Sequence, residues 1–211
     1  LFNKDKTELI CYPGGKSGNS YTIPDSVIYI GLYAFEGANI YNITIPDSVS
    51  VIGSYAFATC RTLTSATIEN GVTLIGERAF ETCTSLTSVN IPNSVNAIYN
   101  HAFNDCSSLT SIEIPKGITV IYESTFSFCN NLTSIDIPEG VTNIGDWAFY
   151  GCNSLTSVDI PNSVTEIGHG AFSRCSSLQS INVSKDNKHF ASVNGILFNK
   201  DLTAIVRFPP K

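Results

Sequence analysis

The sequence of 211 residues predicts a β-rich solenoid with short parallel strands stacked one per coil and a β-hairpin segment at each end. Two periodic columns support this fold class, because units of this length cannot enclose their apolar side chains alone but cover one another when stacked in register. The first is the apolar position of the phrase I-P-x-S-V, which recurs after 22 and then every 23 residues, at Ile23, Ile45, Ile68, Ile91, Ile114, Ile137, Ile160 and Val183. The second is a phenylalanine column with the same spacing, at Phe35, Phe57, Phe80, Phe103, Phe126, Phe149 and Phe172.

The chain opens and nearly closes with the same phrase, LFNKDKTELICYP from Leu1 and LFNKDLTAIVRFP from Leu197. At the second copy, a turn signal lies between two β-rich runs, so we predict a hairpin of strands 193–198 and 203–208. The first copy then starts inside its first strand, which predicts an incomplete hairpin whose exposed strand edge favours self-association. The repeated phrase also suggests that the chain is one period of a longer tandem array.

Three segments follow from these patterns. We predict a partial β-hairpin or N-terminal cap over residues 1–20, a solenoid of about seven coils over residues 21–183, and a C-terminal β-hairpin cap over residues 184–211. Together they form one continuous domain. Because the chain contains no methionine and opens with no signal peptide, we expect it to be a piece of a longer precursor.

The unit from Cys129 to Gly151 illustrates how each coil is built. Ile135, Asp136 and Ile137 alternate apolar and polar, which is typical of a half-buried strand. The proline that follows removes a backbone donor and ends the strand. Serine or glycine two residues later suits a tight turn.

The full pattern, C-x-x-L-x-x-I-x-I-P-x-x-V-x-x-I-G-x-x-A-F, runs from roughly Tyr21 to Val183 and resembles the BspA-like leucine-rich repeat family. The departures from it are few: Glu69 replaces the proline, Thr125 replaces the alanine, and Tyr99 and Tyr122 replace the glycine. The resemblance implies a leucine-rich-repeat solenoid. It also implies a secreted or surface-anchored protein of a host-associated microbe that adheres to host matrix proteins or to other cells.

Composition excludes several classes of partner. A net charge of −6 and a pI near 4.9 argue against nucleic acid, which requires a basic surface, and against an anionic membrane surface. No apolar run is long enough to span a bilayer, so we predict no membrane insertion.

Six of the seven cysteines occupy one column of the repeat. Equivalent side chains of stacked coils stay about 4.8 Å apart, which exceeds the Cβ separation of about 3.5–4.5 Å that a disulfide needs. A linear row of thiols also fails to converge on a metal. We therefore predict buried, free thiols, and Cys11 as the accessible one.

The centre of each strand points to the open, concave face of the sheet. This column contains three successive acids, which should repel one another unless a cation or a basic partner lies between them. We predict that it binds a partner protein, through Asn90, Glu113, Asp136, Asp159 and Asn182. A solvated face that keeps the protein soluble and a cation site, for example for Ca²⁺, remain open alternatives.

A second column precedes the Ala-Phe pair and is rich in aromatic residues and arginine, the usual anchors of interfaces. We predict a lateral binding surface there, with Tyr33, Tyr55, Arg78, His101 and Trp147. The alternative is that these side chains only shield the sides of the coils.

No catalytic constellation is evident. The three histidines are dispersed, and no serine or cysteine lies in register with one of them as a nucleophile with its base. We predict a non-enzymatic protein-interaction module, adhesin-like and extracellular or at the cell surface, without cofactor or metal. The alternative function is a structural spacer in a tandem surface array.

Overall fold

The computed structural model describes residues 1–14, 16 and 20–207, which form a β-solenoid of about seven turns. Within these ranges no residue is helical, and the strands are short and stacked in parallel, which confirms the predicted fold class.

One row of strands, which we call the first sheet, lies at the I-P phrase of the coils, except that the coils of Ile114 and Ile137 contribute only a bridge between Glu113 and Asp136. In β4 (Asn42–Ile45), Ile43 and Ile45 are buried whereas Thr44 is exposed, and this strand pairs in parallel with β6 (Ser65–Ile68) one coil later. The strands of this row are β2 (Ser20–Thr22), β4 (Asn42–Ile45), β6 (Ser65–Ile68), β8 (Ser88–Asn90), β12 (Ser157–Ile160) and β14 (Ser180–Val183). We call its solvent side the open face.

The second sheet contains one two-residue strand per coil, after the turn that ends the first-sheet strand. Its strands are β1 (Glu8–Leu9), β3 (Tyr29–Ile30), β5 (Val51–Ile52), β7 (Leu74–Ile75), β9 (Ala97–Ile98), β10 (Val120–Ile121), β11 (Asn143–Ile144) and β13 (Glu166–Ile167). In the second-sheet strands between β3 and β11, the isoleucine at the end of the strand is buried. This sheet therefore covers a second side of the core.

The phenylalanine column forms the centre of the core. All seven rings are at most 1% exposed. They stack with nearly parallel planes, and the distance between neighbouring ring centroids rises from 4.8 Å for Phe35 and Phe57 to 5.8 Å for Phe103 and Phe126. Each ring therefore covers the next, as the 23-residue period predicts.

The third side of the coil, which we call the flank, consists of turns joined by main-chain hydrogen bonds between coils. The amide of Phe103, for example, donates to the carbonyl of Thr125 at 2.9 Å. Two positions per coil have left-handed backbone, with φ from 53° to 73°. They are the column that precedes Ala-Phe and the position four residues later.

The cysteine column lies beside the phenylalanines. Each of these six thiols donates to the carbonyl of a phenylalanine one coil earlier, as Cys106 does to Phe80 at 3.2 Å. Burial raises the pKa of Cys60 and Cys129 to about 12 and that of Cys175 to about 11. All seven cysteines are free, and only Cys11 is exposed, as predicted.

This arrangement predicts selective thiol chemistry. A thiol-specific reagent should modify Cys11 rapidly in the folded protein and all seven cysteines after denaturation, because thiolates react and buried thiols stay protonated. Mass spectrometry after brief alkylation measures this, with Cys11→Ser as the matched control that should acquire no rapid label. Rapid modification of a second site would contradict the burial of the column.

The C-terminal segment contains three antiparallel strands: β15 (Phe190–Val193), β16 (Ile196–Asn199) and β17 (Ile205–Arg207). The predicted strand over 193–198 is therefore wrong in its bounds. Asn194 and Gly195 both have positive φ and form the two-residue turn between β15 and β16, a sequence typical of hairpins. The β16–β17 pair corresponds to the predicted hairpin, although its last predicted residue, Phe208, lies outside the described residues.

The opening segment repeats the local geometry of the closing hairpin. Asn3 Oδ1 accepts from the amides of Thr7 and Glu8, and Asn199 Oδ1 accepts from the amides of the two equivalent residues. Phe2 forms an antiparallel bridge with Leu9, and β1 then pairs in parallel with β3. The duplicated phrase thus encodes one turn structure, used at both ends of the solenoid. Self-association through a strand edge stays a prediction.

Between the coils of Tyr99 and Tyr122 both sheets lack strand pairing, and we call this place the central junction; the first sheet alone is also unpaired between Asp136 and Asp159. Within the described chain no main-chain hydrogen bond joins residues 84–99 to residues 107–122, whereas the flank keeps its ladder here, as in His101 to Glu123 at 2.9 Å. Elsewhere glycine lets the coils approach closely: a Cβ on Gly76 would lie 2.6 Å from the amide nitrogen of Ser54. Tyr99 and Tyr122 occupy this position in the two separated coils. Tyr99 keeps its hydrogen bond to Ile75 of the preceding coil at 3.0 Å, so the gap lies where Tyr122 faces the coil of Tyr99.

Candidate interaction surfaces

The open face carries the predicted binding column. Its five residues are exposed and point away from the core, because each lies between two apolar neighbours that are buried or, for Val183 beside Asn182, partly buried. The side chains are Asn90, Glu113, Asp136, Asp159 and Asn182. Asn182 Nδ2 donates to Asp159 Oδ1 at 2.8 Å, so the last two members of the column are coupled directly.

A shallow groove of about 680 Å³ follows this column on the C-terminal side of the central junction. Glu113, Asp136 and Asp159 line the groove in three successive coils. Lys116 and Glu139 line it as well. The groove therefore has excess negative charge and an elongated outline, which suits an extended basic segment.

The structure does not gather the acids into a ligand cage. Over residues 1–14, 16 and 20–207, no group of three or more histidine, cysteine, aspartate or glutamate side chains is placed to hold a metal ion. The carboxylates instead follow one another along the solenoid axis.

The lateral column lies on the flank, at the first left-handed position of each coil. Its N-terminal half is a stack: the rings of Tyr33 and Tyr55 are 4.8 Å apart, and the Arg78 guanidinium lies 5.8 Å from the centroid of Tyr55. Further along the column, Trp147 meets His169 edge-on at 6.0 Å. The five predicted residues thus lie on one side of the solenoid. Tyr33 and Tyr55 form one group with Arg78, and Trp147 lies in a second group with His169.

The backbone of this column makes its composition informative. A non-glycine residue with left-handed backbone costs about 1 kcal/mol, and Gly170 shows that glycine fits the column. The other coils place Tyr33, Tyr55, Arg78, His101, Ser124 and Trp147 there, all with φ between 53° and 58°. These side chains contribute packing or recognition that offsets the conformational cost.

Charge on the flank is locally balanced. Arg78 contacts Glu81 at 2.6 Å and Glu77 at 3.4 Å. Burial, together with the Arg78 cation, lowers the pKa of His101, so its imidazole is neutral at pH 7. On this part of the flank, Arg78 and Glu81 are therefore paired with each other.

Sequence reasoning missed two aromatic residues that extend the lateral surface. Phe128 is 42% exposed, and its ring meets that of Tyr150 edge-on at 5.2 Å. Phe128 occupies the second left-handed position, where other coils have Gly37, Thr59 or Asp105. The signal in the sequence was an aromatic residue in a column of otherwise small or polar residues.

The family comparison agrees with the repeat pattern. A family model described as BspA type leucine rich repeat region, in six copies, matches residues 11–126 and 96–205. No curated protein matches the chain. No helix within the described ranges has the length and apolarity needed to cross a membrane.

Solved bacterial structures share the fold. A leucine-rich cell surface protein of Faecalibacterium prausnitzii is 33% identical with a TM-score of 0.79, over 97% of this chain and 55% of its own. A leucine-rich repeat protein of Bacteroides ovatus is 30% identical with a TM-score of 0.57, over 82% and 57%. The pneumococcal vaccine antigen PcpA, 23% identical with a TM-score of 0.60 over 96% and 49%, shows the fold alone.

This chain therefore spans little more than half the length of the similar Faecalibacterium and Bacteroides proteins. The family model matches most of the residues of this chain. The structure agrees with the match, because it contains stacked 23-residue coils with a buried phenylalanine column and a buried cysteine column. The chain belongs to the BspA-type leucine-rich repeat family.

Proposed function

We propose that this chain is a non-enzymatic protein-interaction module at the cell surface, which binds an extended basic segment of a partner protein along the open face. The observation that carries the proposal is the groove lined by Glu113, Asp136 and Asp159. Solenoids of this type expose long, shallow surfaces and favour binding over catalysis. The similar Faecalibacterium protein is described as a cell surface protein, which supports the proposed location.

The groove is suited to recognition in two ways. Glu113 pairs with Asp136 across a parallel bridge, and Asp159 pairs with Asn182 in the next strand pair, so a linear partner meets one acid in each of three successive coils. The same carboxylates raise the rate of encounter with a basic partner through electrostatic attraction. Adhesion to a host matrix protein or to another cell is the biological role that we infer for such a contact.

The test neutralises the groove without changing side-chain size. The triple variant Glu113→Gln, Asp136→Asn and Asp159→Asn should bind at least about tenfold more weakly, a loss of roughly 1.4 kcal/mol. The probes are a synthetic peptide of alternating lysine and threonine and an immobilised extracellular matrix extract, measured by surface plasmon resonance. Added salt should weaken binding of the parent protein as well, because exposed charges are screened.

A second triple variant controls for net charge. Asp5→Asn, Glu36→Gln and Asp201→Asn remove the same charge at exposed positions outside the groove. This control should bind like the parent. Equal binding of both triple variants, or absence of binding by the parent, would contradict the proposal and favour the spacer role.

A further inference from the structure

The flank carries a second concave surface, which we call the aromatic cleft, with a volume of about 450 Å³. It is separate from the open face and lies across four consecutive coils. Its principal residues are Glu81, Asn104, Ser124, Phe128, Trp147 and Tyr150. Its volume falls within the range of roughly 300–1,000 Å³ that is usual for small-molecule sites.

The two exposed rings of the cleft lie against glycines of the next coil. A Cβ added to Gly151 would lie 2.9 Å from Cδ1 of Phe128, and one added to Gly170 would lie 2.8 Å from Cδ1 of Trp147. The missing side chains let the rings settle onto the coil surface, yet Phe128 stays 42% and Trp147 39% exposed. This arrangement is confined to two coils, so it is not a consequence of the repeat.

The polar side of the cleft is held in a fixed orientation. Glu81 Oε1 accepts hydrogen bonds from Arg78 at 2.6 Å and from Asn104 Nδ2 at 3.2 Å. Within the cleft lining, the charge of Arg78 is balanced by the carboxylate of Glu81, with which it pairs. The cleft therefore has directional donors and acceptors but no uncompensated charge for an ionic ligand.

One small polar side chain belongs to the wall of the cleft. Ser124 is 6% exposed and lines the cleft. Its hydroxyl can both donate and accept a hydrogen bond, so it suits a ligand hydroxyl.

The main chain around the cleft is already saturated. The amides of Ser124, Phe126, Phe128 and Trp147 donate to carbonyls of the next coil at 2.7–3.0 Å. A peptide that adds to a sheet as a new strand gains affinity through main-chain hydrogen bonds. These four amides already donate to the next coil, so they are not free to bond to such a peptide. Recognition must come from side-chain polar groups and aromatic faces.

We propose that the aromatic cleft binds a neutral saccharide. The electron-rich faces of Trp147 and Phe128 stack against the C–H face of a sugar ring, while the carboxylate of Glu81, the amide of Asn104 and the hydroxyl of Ser124 exchange hydrogen bonds with sugar hydroxyls. A ligand with apolar faces, many hydroxyls and no charge matches every group of the cleft.

The only tryptophan of the chain provides a direct readout. Titration of the whole chain with cellobiose, maltose and lactose should give a saturable change in Trp147 emission for at least one of them. Phe128→Ala should weaken this binding at least about tenfold without abolishing folding, because the residue is exposed. Tyr33→Ala, which removes an exposed ring from the column of Trp147 but outside the cleft, is the control and should bind like the parent.

Ser124→Ala supplies a second readout. It keeps the rings in place and removes only one hydroxyl of the cleft wall, so it should weaken sugar binding without shifting the emission spectrum of the sugar-free protein. Absence of a saturable response to all three sugars, or an equal response in Phe128→Ala, would overturn the proposal. The triple acid variant of the open face should bind sugar normally, which separates this result from the test of the proposed function.

Discussion

Replacing Phe126 by alanine is expected to lower the free energy of unfolding by about 3–5 kcal/mol. The ring is 1% exposed and lies 5.8 Å from Phe103 and 5.5 Å from Phe149, measured between centroids. Its removal leaves a cavity between two rings that the solenoid cannot close, because the flank ladder fixes the coil spacing. The effect should be among the largest of any single substitution, since Phe126 also borders the central junction.

Chemical denaturation followed by circular dichroism measures this loss. The matched control is Phe128→Ala, two residues away on the surface, which should cost less than about 1 kcal/mol. Equal denaturation midpoints for Phe126→Ala and the parent would contradict the inward placement of the column.

Replacing Asn187 by alanine should be the second most damaging change, with a loss of about 3 kcal/mol. The side chain is fully buried: Nδ2 donates to the carbonyls of Pro161 and Val164 at 2.8 and 2.9 Å, and Oδ1 accepts from the amides of His189 and Phe190, both at 2.8 Å. Alanine would leave four main-chain groups without their partner. Asn187 thus links the last coils to the C-terminal strands.

Hydrogen exchange distinguishes this role from a general loss of stability. Asn187→Ala should accelerate exchange in β15 and β16 while the amides of the Phe57 and Phe80 coils keep their protection. Asn182→Ala, at an exposed asparagine of the preceding strand, serves as control and should leave exchange unchanged. Uniform acceleration along the whole chain would refute the local role.

Periodicity made the solenoid predictable. Apart from Phe190 in the C-terminal strands, every buried phenylalanine, isoleucine and cysteine of the core recurs with the repeat, so stacking in register follows from spacing alone. The exposed column of the open face was placed by the same argument, because alternation along a strand fixes which residues point outward.

Features that depart from the period were harder to predict. Tyr99 and Tyr122 were visible as substitutions of glycine, but their effect on pairing depends on how closely the backbones approach at that position. The turn at Asn194 and Gly195 carries an ordinary hairpin signal, which was absorbed into a longer β-rich run. The role of Asn187 depends on partners more than twenty residues away, and the aromatic cleft depends on glycines one coil later.

The central junction has a mechanical consequence. When tension acts along the solenoid, most neighbouring coils share the load among main-chain hydrogen bonds on several sides. At the central junction the main-chain ladder between the coils is confined to the flank, and beyond it only two side-chain hydrogen bonds of the described residues cross, from the Lys116 amide to Asn93 and from the Thr110 hydroxyl to Thr87. We expect the side away from the flank to open first, so that the solenoid bends there toward the flank. A solenoid with such a compliant point absorbs shear by flexing, while the groove and the phenylalanine stack beyond it stay intact.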